Sequence, residues 1–239
     1  MKEYTITTDD TCDMPESFYE EHQIPYVSLN CMVNGQIFNK EHRADPHEFY
    51  EWMSSGAMPT TSQANAEDVK NCWLPYIEKG MDILHLGFSS GLSGSFNSAR
   101  IAAEELMEEY PGIRIRVVDS LCASMGEGLL LFYAVQQKEQ GKSLEEVGDF
   151  LEENKLHLCH VFTVDDLFHL HRGGRVSKLS AIVGTMVGIK PMLHVDNEGH
   201  LILLSKVRGR KRALAELVKM MDERVGSYKD RNQTVFISH

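Results

Sequence analysis

The stretch MDILHLGFSSGLSGSFNSARIAAEELMEEYPGIRIRVVDS, residues 81–120, carries the clearest fold signal in the chain. Its two ends, Met81–Phe88 and Ile113–Asp119, are compact apolar runs of the kind that is buried in parallel sheets. Between them the apolar residues from Phe96 to Tyr110 keep helical spacing, and Ser95 is the predicted N-cap. A strand, a helix and a second strand in this order predict a parallel α/β layer.

Earlier and later segments extend this alternation. Tyr4–Thr8 is a predicted strand, and a helix is predicted to begin near Pro15, because the first helical turn tolerates proline. Ile24–Val33 is strand-like and is followed by Asn34-Gly35, a typical hairpin turn. Further helices are predicted from Asp45-Pro46, from about Ala66, before Gly141 and from the capping box of Ser143 and Glu146. We therefore predict that residues 1–156 form one parallel α/β/α domain.

The pattern then changes. Pro191–Val195 and His200–Val207 flank a four-residue turn and predict an antiparallel hairpin, which a helix over Arg210–Arg224 follows. Val235–Ser238 is a predicted last strand. The expected fold is thus α/β with two domains, the second being a smaller α+β domain with antiparallel strands over residues 157–239. Because an uncovered terminal strand is a liability, we expect this second domain to be truncated at its C-terminal end.

The composition restricts the function classes. A chain of 239 residues with 42% hydrophobic content can bury a large core. A formal net charge of −11 argues against nucleic acid or an anionic membrane as the main partner. The five cysteines are widely spaced without a Cys-x-x-Cys pair, which is typical of reduced thiols. The start has no apolar signal core, and no apolar run approaches the roughly 20 residues that span a bilayer. We therefore expect a cytoplasmic protein without stable membrane insertion.

Two hydroxyl-rich turns without charged residues are the strongest functional signal. One is Pro59-Thr60-Thr61-Ser62-Gln63, and the other is Ser89-Ser90-Gly91-Leu92-Ser93-Gly94-Ser95 at the start of the predicted helix. Hydroxyl groups together with the free backbone N–H groups of a helix N-terminus suit a small anion. Helix capping or a plain glycine-rich turn would explain either turn taken singly. Because two such turns are harder to explain by capping alone, we interpret them as a site that holds an acid group.

The second turn also permits a hydrolase interpretation. Gly87-Phe88-Ser89-Ser90-Gly91 matches the Gly-x-Ser-x-Gly motif between a strand and a helix, and would make Ser89 a nucleophile. Asp119 and either His157 or His160 follow in the order Ser, Asp, His. However, this turn runs several residues before its helix begins, whereas a nucleophile elbow is compact. A serine hydrolase that uses Ser89 is the alternative to a binding protein, for which no catalytic residue is predicted.

The remaining motifs carry little chemistry. Gly126-x-Gly128 lacks the rest of a dinucleotide fingerprint, and the histidine pairs lack further ligands at metal-binding spacing, so neither a cofactor nor a metal is predicted. Basic residues dominate from Arg172 to Arg212, and three of them begin a predicted helix, where the dipole disfavours positive charge. This placement indicates a surface for a phosphate or an acidic partner. A DNA-binding regulator is a further alternative.

Seven short segments are spread over nearly the whole chain. No single segment identifies a protein family, but their occurrence in this order is specific. They are Thr8-Asp9-Asp10-Thr11, Pro59–Gln63, Ser89–Ala99, Val118-Asp119-Ser120, Leu167–Ser177, Lys190-Pro191 and Lys206-Val207-Arg208. Together they resemble the DegV family, the fatty-acid-binding proteins of bacteria. The resemblance implies a two-domain fold with a long-chain fatty acid buried between the domains.

The resemblance also implies roles for individual residues. Hydroxyls of the two turns would hold the ligand carboxylate, and these head-group residues are Thr61, Ser62, Ser93 and the backbone at Gly94. Some members of the family present the acyl group to the separate catalytic subunit of a fatty acid kinase, which supplies ATP and magnesium. The candidate surface for such a subunit is a basic group formed by Arg208, Arg210, Lys211 and Arg212.

Three features depart from the family pattern. Asp10 stands where the family usually has serine, which adds a negative charge near the first turn. Ala64 stands where a proline usually follows the Thr-Ser-Gln motif. The family also continues past a strand like Phe236–Ser238 to a segment with a histidine and a Gly-Pro-Gly turn near the carboxylate. We expect truncation to explain this third departure.

We predict a carrier of a long-chain fatty acid such as palmitate, and not an enzyme. Each buried methylene contributes roughly 0.8 kcal/mol, so an acyl chain of about sixteen carbons binds tightly even after association costs. Neutral hydroxyls could fix the acid without an ion pair and leave one oxygen reachable for phosphorylation. The predicted acyl-chain wall is Ile182, Val183, Met186, Val187 and Ile189, a run that ordinary core packing would explain equally well. No pattern in the sequence specifies the acyl chain length, a cognate kinase or the oligomeric state.

Overall fold

A computed structural model describes residues 2–165, 167–176, 188–231 and 233–239. The strands in these ranges are β1 (Tyr4–Asp9), β2 (Tyr26–Val27), β3 (Asn30–Val33), β4 (Gln36–Phe38), β5 (Thr60–Ser62), β6 (Asp82–Gly87), β7 (Ile115–Asp119), β8 (Phe162–Thr163), β9 (Ile189–Val195) and β10 (Leu201–Arg208). The α-helices are α1 (Glu16–Glu21), α2 (Pro46–Ser54), α3 (Ala66–Ile77), α4 (Ser95–Glu109), α5 (Met125–Glu139), α6 (Leu144–Asn154), α7 (Phe168–Arg172) and α8 (Arg210–Arg224).

A four-stranded parallel sheet with the order β2-β1-β6-β7 forms the centre of the larger part of the molecule. Every residue of β1 and β6 is buried, which explains why the sequence of β6 is almost continuously apolar. Helices α3 and α4 cover one face, with Trp73 and Leu106 in the core. Helices α5 and α6 cover the other face, with Leu131 and Leu151 in the core. The predicted parallel α/β/α layer is therefore confirmed.

A second, smaller sheet has the antiparallel order β4-β3-β5. The predicted turn Asn34-Gly35 joins β3 to β4, and both residues adopt positive φ, 51° at Asn34 and 80° at Gly35. Such angles match the twist of a two-residue hairpin. Strand β5 adds to the other side of β3 and contains Thr61 and Ser62.

The third sheet, β10-β9-β8, is antiparallel throughout, as predicted for the second part of the chain. Asp196 ties the turn between β9 and β10, because its Oδ1 accepts the N–H groups of Glu198 and His200 at 2.9 and 2.8 Å. Helix α8 packs on this sheet and begins and ends at the predicted residues. The domain boundary after residue 156 stays a prediction.

Two local predictions are wrong. Residues 233–239 form no strand, and Phe236 instead packs its ring against Phe132 with a centroid distance of 5.5 Å. An apolar segment becomes a strand only where a neighbouring backbone is free to pair with it. Gly94, not Ser95, is the N-cap of α4, because the Ser95 hydroxyl is engaged by another part of the chain. No helix in the described ranges combines the length and the apolar character that crossing a bilayer demands.

Candidate functional site

The hydroxyl-rich turn lies at the carboxyl edge of the parallel sheet. In the parallel sheet, β1 lies between β2 and β6. The chain passes from β1 to β2 on one side, and the next strand of the sheet in chain order, β6, lies on the other side of β1. The crevice outside the carboxyl ends of β1 and β6 is thus the point where the strand order reverses, which is the usual ligand position in open α/β sheets. The turn Ser89–Ser95 directly follows β6 and therefore borders this crevice.

The two hydroxyl-rich turns meet at the N-terminus of α4. Gln63 Nε2 donates to Ser98 Oγ at 3.2 Å, and a side chain at Gly94 would overlap the Gln63 amide. Ala64 N–H donates to Ser95 Oγ at 3.2 Å. A proline at position 64 has no N–H and could not make this bond, so the departure from the family pattern adds a link between the turns. The structure brings together the two segments that the sequence singled out.

Thr61 and Ser62 differ in the face of the sheet on which they lie. Thr61 is paired with Cys31 and Ser62 with Asn30, so the two residues occupy consecutive positions of one strand. Consecutive strand residues point to opposite faces, and residues two apart point to the same face. The two predicted hydroxyls therefore lie on opposite faces of β5.

Ser93 and Gly94 close the turn immediately before α4. Ser93 is half-buried, and its Oγ accepts the N–H of Ser95 at 3.2 Å. Helix α4 has no acidic residue in its first turn, and its N-cap residue, Gly94, has no side chain that could cap it. Backbone N–H groups of a first helical turn lack partners within the helix and carry the positive end of its dipole. This helix start can therefore stabilise an anion beside the Ser93 hydroxyl.

The turn between β9 and β10 packs on the same hydroxyl-rich segment. Ser89 Oγ donates to the carbonyl of Gly199 at 2.9 Å, and Arg175 Nε donates to the carbonyl of Leu92 at 3.1 Å. The backbone at residues 198 and 199 can lie close to Gly91 because Gly91 has no side chain. A Cβ there would lie 2.7 Å from the carbonyl oxygen of Glu198 and 2.9 Å from that of Gly199. The Ser89–Ser95 turn thus connects the parallel sheet to the C-terminal hairpin.

We expect Gly91→Ala to lower the free energy of unfolding by about 1–3 kcal/mol, because the new methyl group meets backbone atoms that cannot rotate away. Urea unfolding measures the loss, and hydrogen exchange at residues 196–199 should rise. Ser90→Ala, an exposed neighbour in the same turn, is the control and should change neither measurement. Equal stability of Gly91→Ala and Ser90→Ala would contradict the close packing of the hairpin.

Ser89 does not have the surroundings of a nucleophile. Its side chain is 0% exposed, and its Oγ both donates to Gly199 and accepts the N–H of Gly91 at 3.2 Å. Asp119 Oδ1 accepts the N–H groups of Ser90 and Leu121, each at 3.1 Å, and no histidine of the described residues hydrogen-bonds to this carboxylate. His160 Nε2 has no hydrogen-bond partner in the described structure. These contacts give no support to the hydrolase alternative.

Two buried acids, Asp9 and Glu127, lie near the carboxyl edge of the parallel sheet. No role was predicted for either of them from the sequence. Asp9 ends β1, and its Oδ2 accepts the N–H of Phe88 at 2.8 Å, so it holds the start of the hydroxyl-rich turn. Thr11 Oγ1 hydrogen-bonds to Asp9 and, at 2.9 Å, to Glu127 Oε2. Burial raises the pKa of Asp9 to about 6 and raises the pKa of Glu127 well above its ordinary value. The Thr8–Thr11 motif was the only signal for this pair.

The other predicted residues lie apart from this edge or outside the described residues. Ile182, Val183, Met186 and Val187 lie outside the described residues, and Ile189 begins β9. The basic group lies at the junction of β10 and α8, and all four of its side chains are exposed. One of them, Arg210, donates to Asp165 Oδ1 at 3.3 Å, which Lys190 also contacts at 2.7 Å. Arg210 of the basic group therefore forms an ion pair within the protein.

Two of the cavities that the described residues form open on the protein surface. One of about 510 Å³ borders Asp13 and Met125, and one of about 410 Å³ borders Tyr19 and Cys31. None of the four head-group residues lines either cavity. Within the described ranges, no three potential metal-binding side chains converge. The predicted head-group residues are therefore brought together only by the two turns and the helix start.

Comparison with known proteins gives a consistent family. A model described as an uncharacterised protein of the DegV family matches residues 3–239. A DegV domain-containing protein of Clostridium perfringens is 42% identical over 241 residues, covering 100% of this chain and 82% of that protein. The solved structure of a fatty-acid-binding DegV family protein from Thermus thermophilus has a TM-score of 0.84 and 33% identity, covering 95% of this chain and 79% of that one. A stearic-acid-binding protein from Eubacterium ventriosum has a TM-score of 0.88 and 25% identity, covering 96% and 79%. The chain therefore belongs to the DegV family.

Proposed function

We propose that this protein is a cytoplasmic carrier that binds a long-chain fatty acid and holds its carboxylate between the Pro59–Gln63 and Ser89–Ser95 turns. The meeting of these two uncharged, hydroxyl-rich turns at the start of α4 is the observation that carries the proposal. The fatty acids bound by the related proteins from Thermus thermophilus and Eubacterium ventriosum supply the ligand class. Within this site the side chain of Thr61, the hydroxyl of Ser93 and the backbone at Gly94 are the donors.

Neutral donors suit a ligand that must be held and then released. A carboxylate that accepts from hydroxyl and backbone N–H groups gains charge-assisted hydrogen bonds without a fixed counter-ion. Among the described residues, no lysine or arginine side chain hydrogen-bonds to Ser93 or Gly94. The acyl chain contributes most of the affinity at roughly 0.8 kcal/mol per buried methylene, and the head group sets its orientation.

Native mass spectrometry of the protein purified from cells tests this proposal. We expect a bound fatty acid, and we expect palmitate to be retained when it is added to delipidated protein. Ser93→Ala and Thr61→Ala should each weaken palmitate binding about tenfold or more, because each loses a hydrogen bond to a charged group. Ser62→Ala is the matched control, since this residue occupies the opposite face of the strand, and its affinity should stay within about twofold.

The outcomes separate the ligand from its site. Wild-type protein that emerges without a fatty acid and fails to retain palmitate would refute the carrier function. Retention of palmitate with equal losses in Thr61→Ala and Ser62→Ala would instead refute the assignment of Thr61 as the donor. A fluorophosphonate probe that labels Ser89 would favour the hydrolase alternative, and we expect no labelling because that hydroxyl is buried and bonded.

We further propose that the bound acid is presented to the catalytic subunit of a fatty acid kinase, with the basic group as the contact surface. Its exposed cations at the start of α8 work against the helix dipole, which supports a role outside the helix. Lys211→Glu with Arg212→Glu should slow acyl phosphate formation by such a subunit at least tenfold and leave palmitate affinity unchanged. Unchanged phosphorylation by the double variant would exclude this surface.

A further inference from the structure

We propose that Ser95 is a positioning residue that turns Ser93 into a dedicated hydrogen-bond donor for an ionised carboxylate. The inference rests on the proposed fatty acid site and deepens it, because it states which form of the ligand head group the site selects. It follows from counting the hydrogens and lone pairs of two hydroxyl groups whose oxygens lie 2.9 Å apart.

Ser95 is the buried member of the pair. Its side chain is 4% exposed, and its Oγ accepts the N–H of Ala64 at 3.2 Å. Among the described residues, its only other hydrogen-bond partner is Ser93 Oγ. A buried hydroxyl hydrogen without an acceptor is unfavourable. The Ser95 hydroxyl therefore donates to Ser93.

Ser93 then has no acceptor capacity left. A serine oxygen has two lone pairs and one hydrogen. The Ser95 hydroxyl fills one lone pair of Ser93 Oγ at 2.9 Å, and the Ser95 backbone N–H fills the other at 3.2 Å. Only the hydrogen of the half-buried Ser93 hydroxyl remains, and it points away from Ser95. The opposite direction of the shared bond would leave the Ser95 hydrogen buried without a partner.

This arrangement selects one chemical form of ligand. An ionised carboxylate only accepts hydrogen bonds, so it fits a group that can only donate. A fatty alcohol carries a hydroxyl hydrogen that needs an acceptor, which Ser93 in this state cannot offer. Ser95 thus acts on the ligand through Ser93, and its own side chain does not contact the head group.

A double-mutant cycle with two ligands tests the inference. Palmitate and 1-hexadecanol are titrated against wild type, Ser93→Ala, Ser95→Ala and the double variant. We expect Ser95→Ala to weaken palmitate binding about tenfold. It should not weaken hexadecanol binding, because it frees a lone pair of Ser93 that can accept the alcohol hydrogen. The double variant should bind palmitate as Ser93→Ala alone does, because Ser95 acts through Ser93. Ser95→Cys keeps the side-chain shape with a weak donor and should change palmitate binding in the same direction.

Ser90→Ala is the matched control. Ser90 lies in the same turn, and its exposed side chain makes neither of the bonds that join the two turns, so both affinities should stay within about twofold. Wild-type palmitate affinity in Ser95→Ala and Ser95→Cys would overturn the inference. So would additive losses in the double variant, or equal losses for both ligands. Wild-type protein that does not bind palmitate would overturn the proposed function itself and the inference with it.

Discussion

Replacing Trp73 by alanine is expected to lower the free energy of unfolding by about 3–5 kcal/mol, because a large, fully buried ring would leave a cavity. Trp73 is 0% exposed in α3, the helix that follows the Pro59–Gln63 turn. Its Nε1 donates to Thr7 Oγ1 at 3.0 Å, and its ring packs edge-on against His85 at 5.2 Å. Thr7 Oγ1 also lies 2.9 Å from His85 Nδ1, and burial lowers the pKa of His85 to about 3. Trp73 therefore anchors a buried polar chain as well as the core.

Urea unfolding followed by circular dichroism measures this loss. The other tryptophan of the chain, Trp52, is only half-buried and stacks on Phe38 at 5.5 Å, so Trp52→Ala is the matched control. We expect it to cost less than about 2 kcal/mol. Trp73→Phe keeps most of the ring but loses the N–H. Its loss of unfolding free energy should lie between the losses of Trp73→Ala and Trp52→Ala. A Trp73→Ala variant within about 1 kcal/mol of wild type would contradict the packing of this core.

The stability of the protein is expected to fall by on the order of 3 kcal/mol as the pH rises from about 4 to above 7, owing to the buried acid Asp9. Its buried neighbour Glu127 acts in the same direction. Both side chains are buried, with exposed fractions of 2% and 0%. Burial is the main cause that raises the pKa of each, Asp9 to about 6 and Glu127 well above the ordinary range. The charge of Asp9 further raises the pKa of Glu127.

The sign follows from proton binding. Between the ordinary carboxyl pKa and the raised pKa, the folded protein holds protons that the unfolded chain has lost. The stabilisation is therefore complete below about pH 4 and is lost as the pH rises through the pKa of Asp9 at about 6. The hydrogen-bond geometry agrees, because the single hydrogen of Thr11 Oγ1 serves only one of its two carboxylate neighbours. Glu127 supplies the second hydrogen when it is protonated.

Two variants distinguish the acids in urea unfolding at pH 5, 6, 7 and 8. Glu127→Gln imitates the protonated acid, since its amide can donate to Thr11, and should reduce the loss of stability between pH 5 and pH 8. Asp9→Asn should instead destabilise by about 1–3 kcal/mol, because an amide group would face the N–H of Phe88 or of Thr11. A wild-type stability that rises between pH 5 and pH 8, with the same slope in Glu127→Gln, would contradict this account.

Local sequence patterns were sufficient for most elements of this fold. Asp45, Asn65 and Ser143 cap their helices through hydrogen bonds to residues two or three positions away, so the helix starts are readable from a few consecutive residues. The buried strand β6 is recognisable for the same reason, because its apolar run needs no knowledge of its neighbours. The hydroxyl-rich turns were found as a chemical composition, before any contact between them was known.

Contacts between distant residues decided the rest. Val235–Ser238 has the composition of a strand but no strand to pair with in the described structure, and Ser95 has the composition of an N-cap but bonds to Ala64, 31 positions away. The acid pair joins Asp9 to Glu127 through Thr11, across more than a hundred residues. Short-range hydrogen bonds define elements, whereas desolvation and hydrogen-bond partners depend on what the folded chain brings together. The residue types of the proposed head-group site were therefore visible in the sequence, whereas its donor directions and the protonation of the acid pair depend on the tertiary structure.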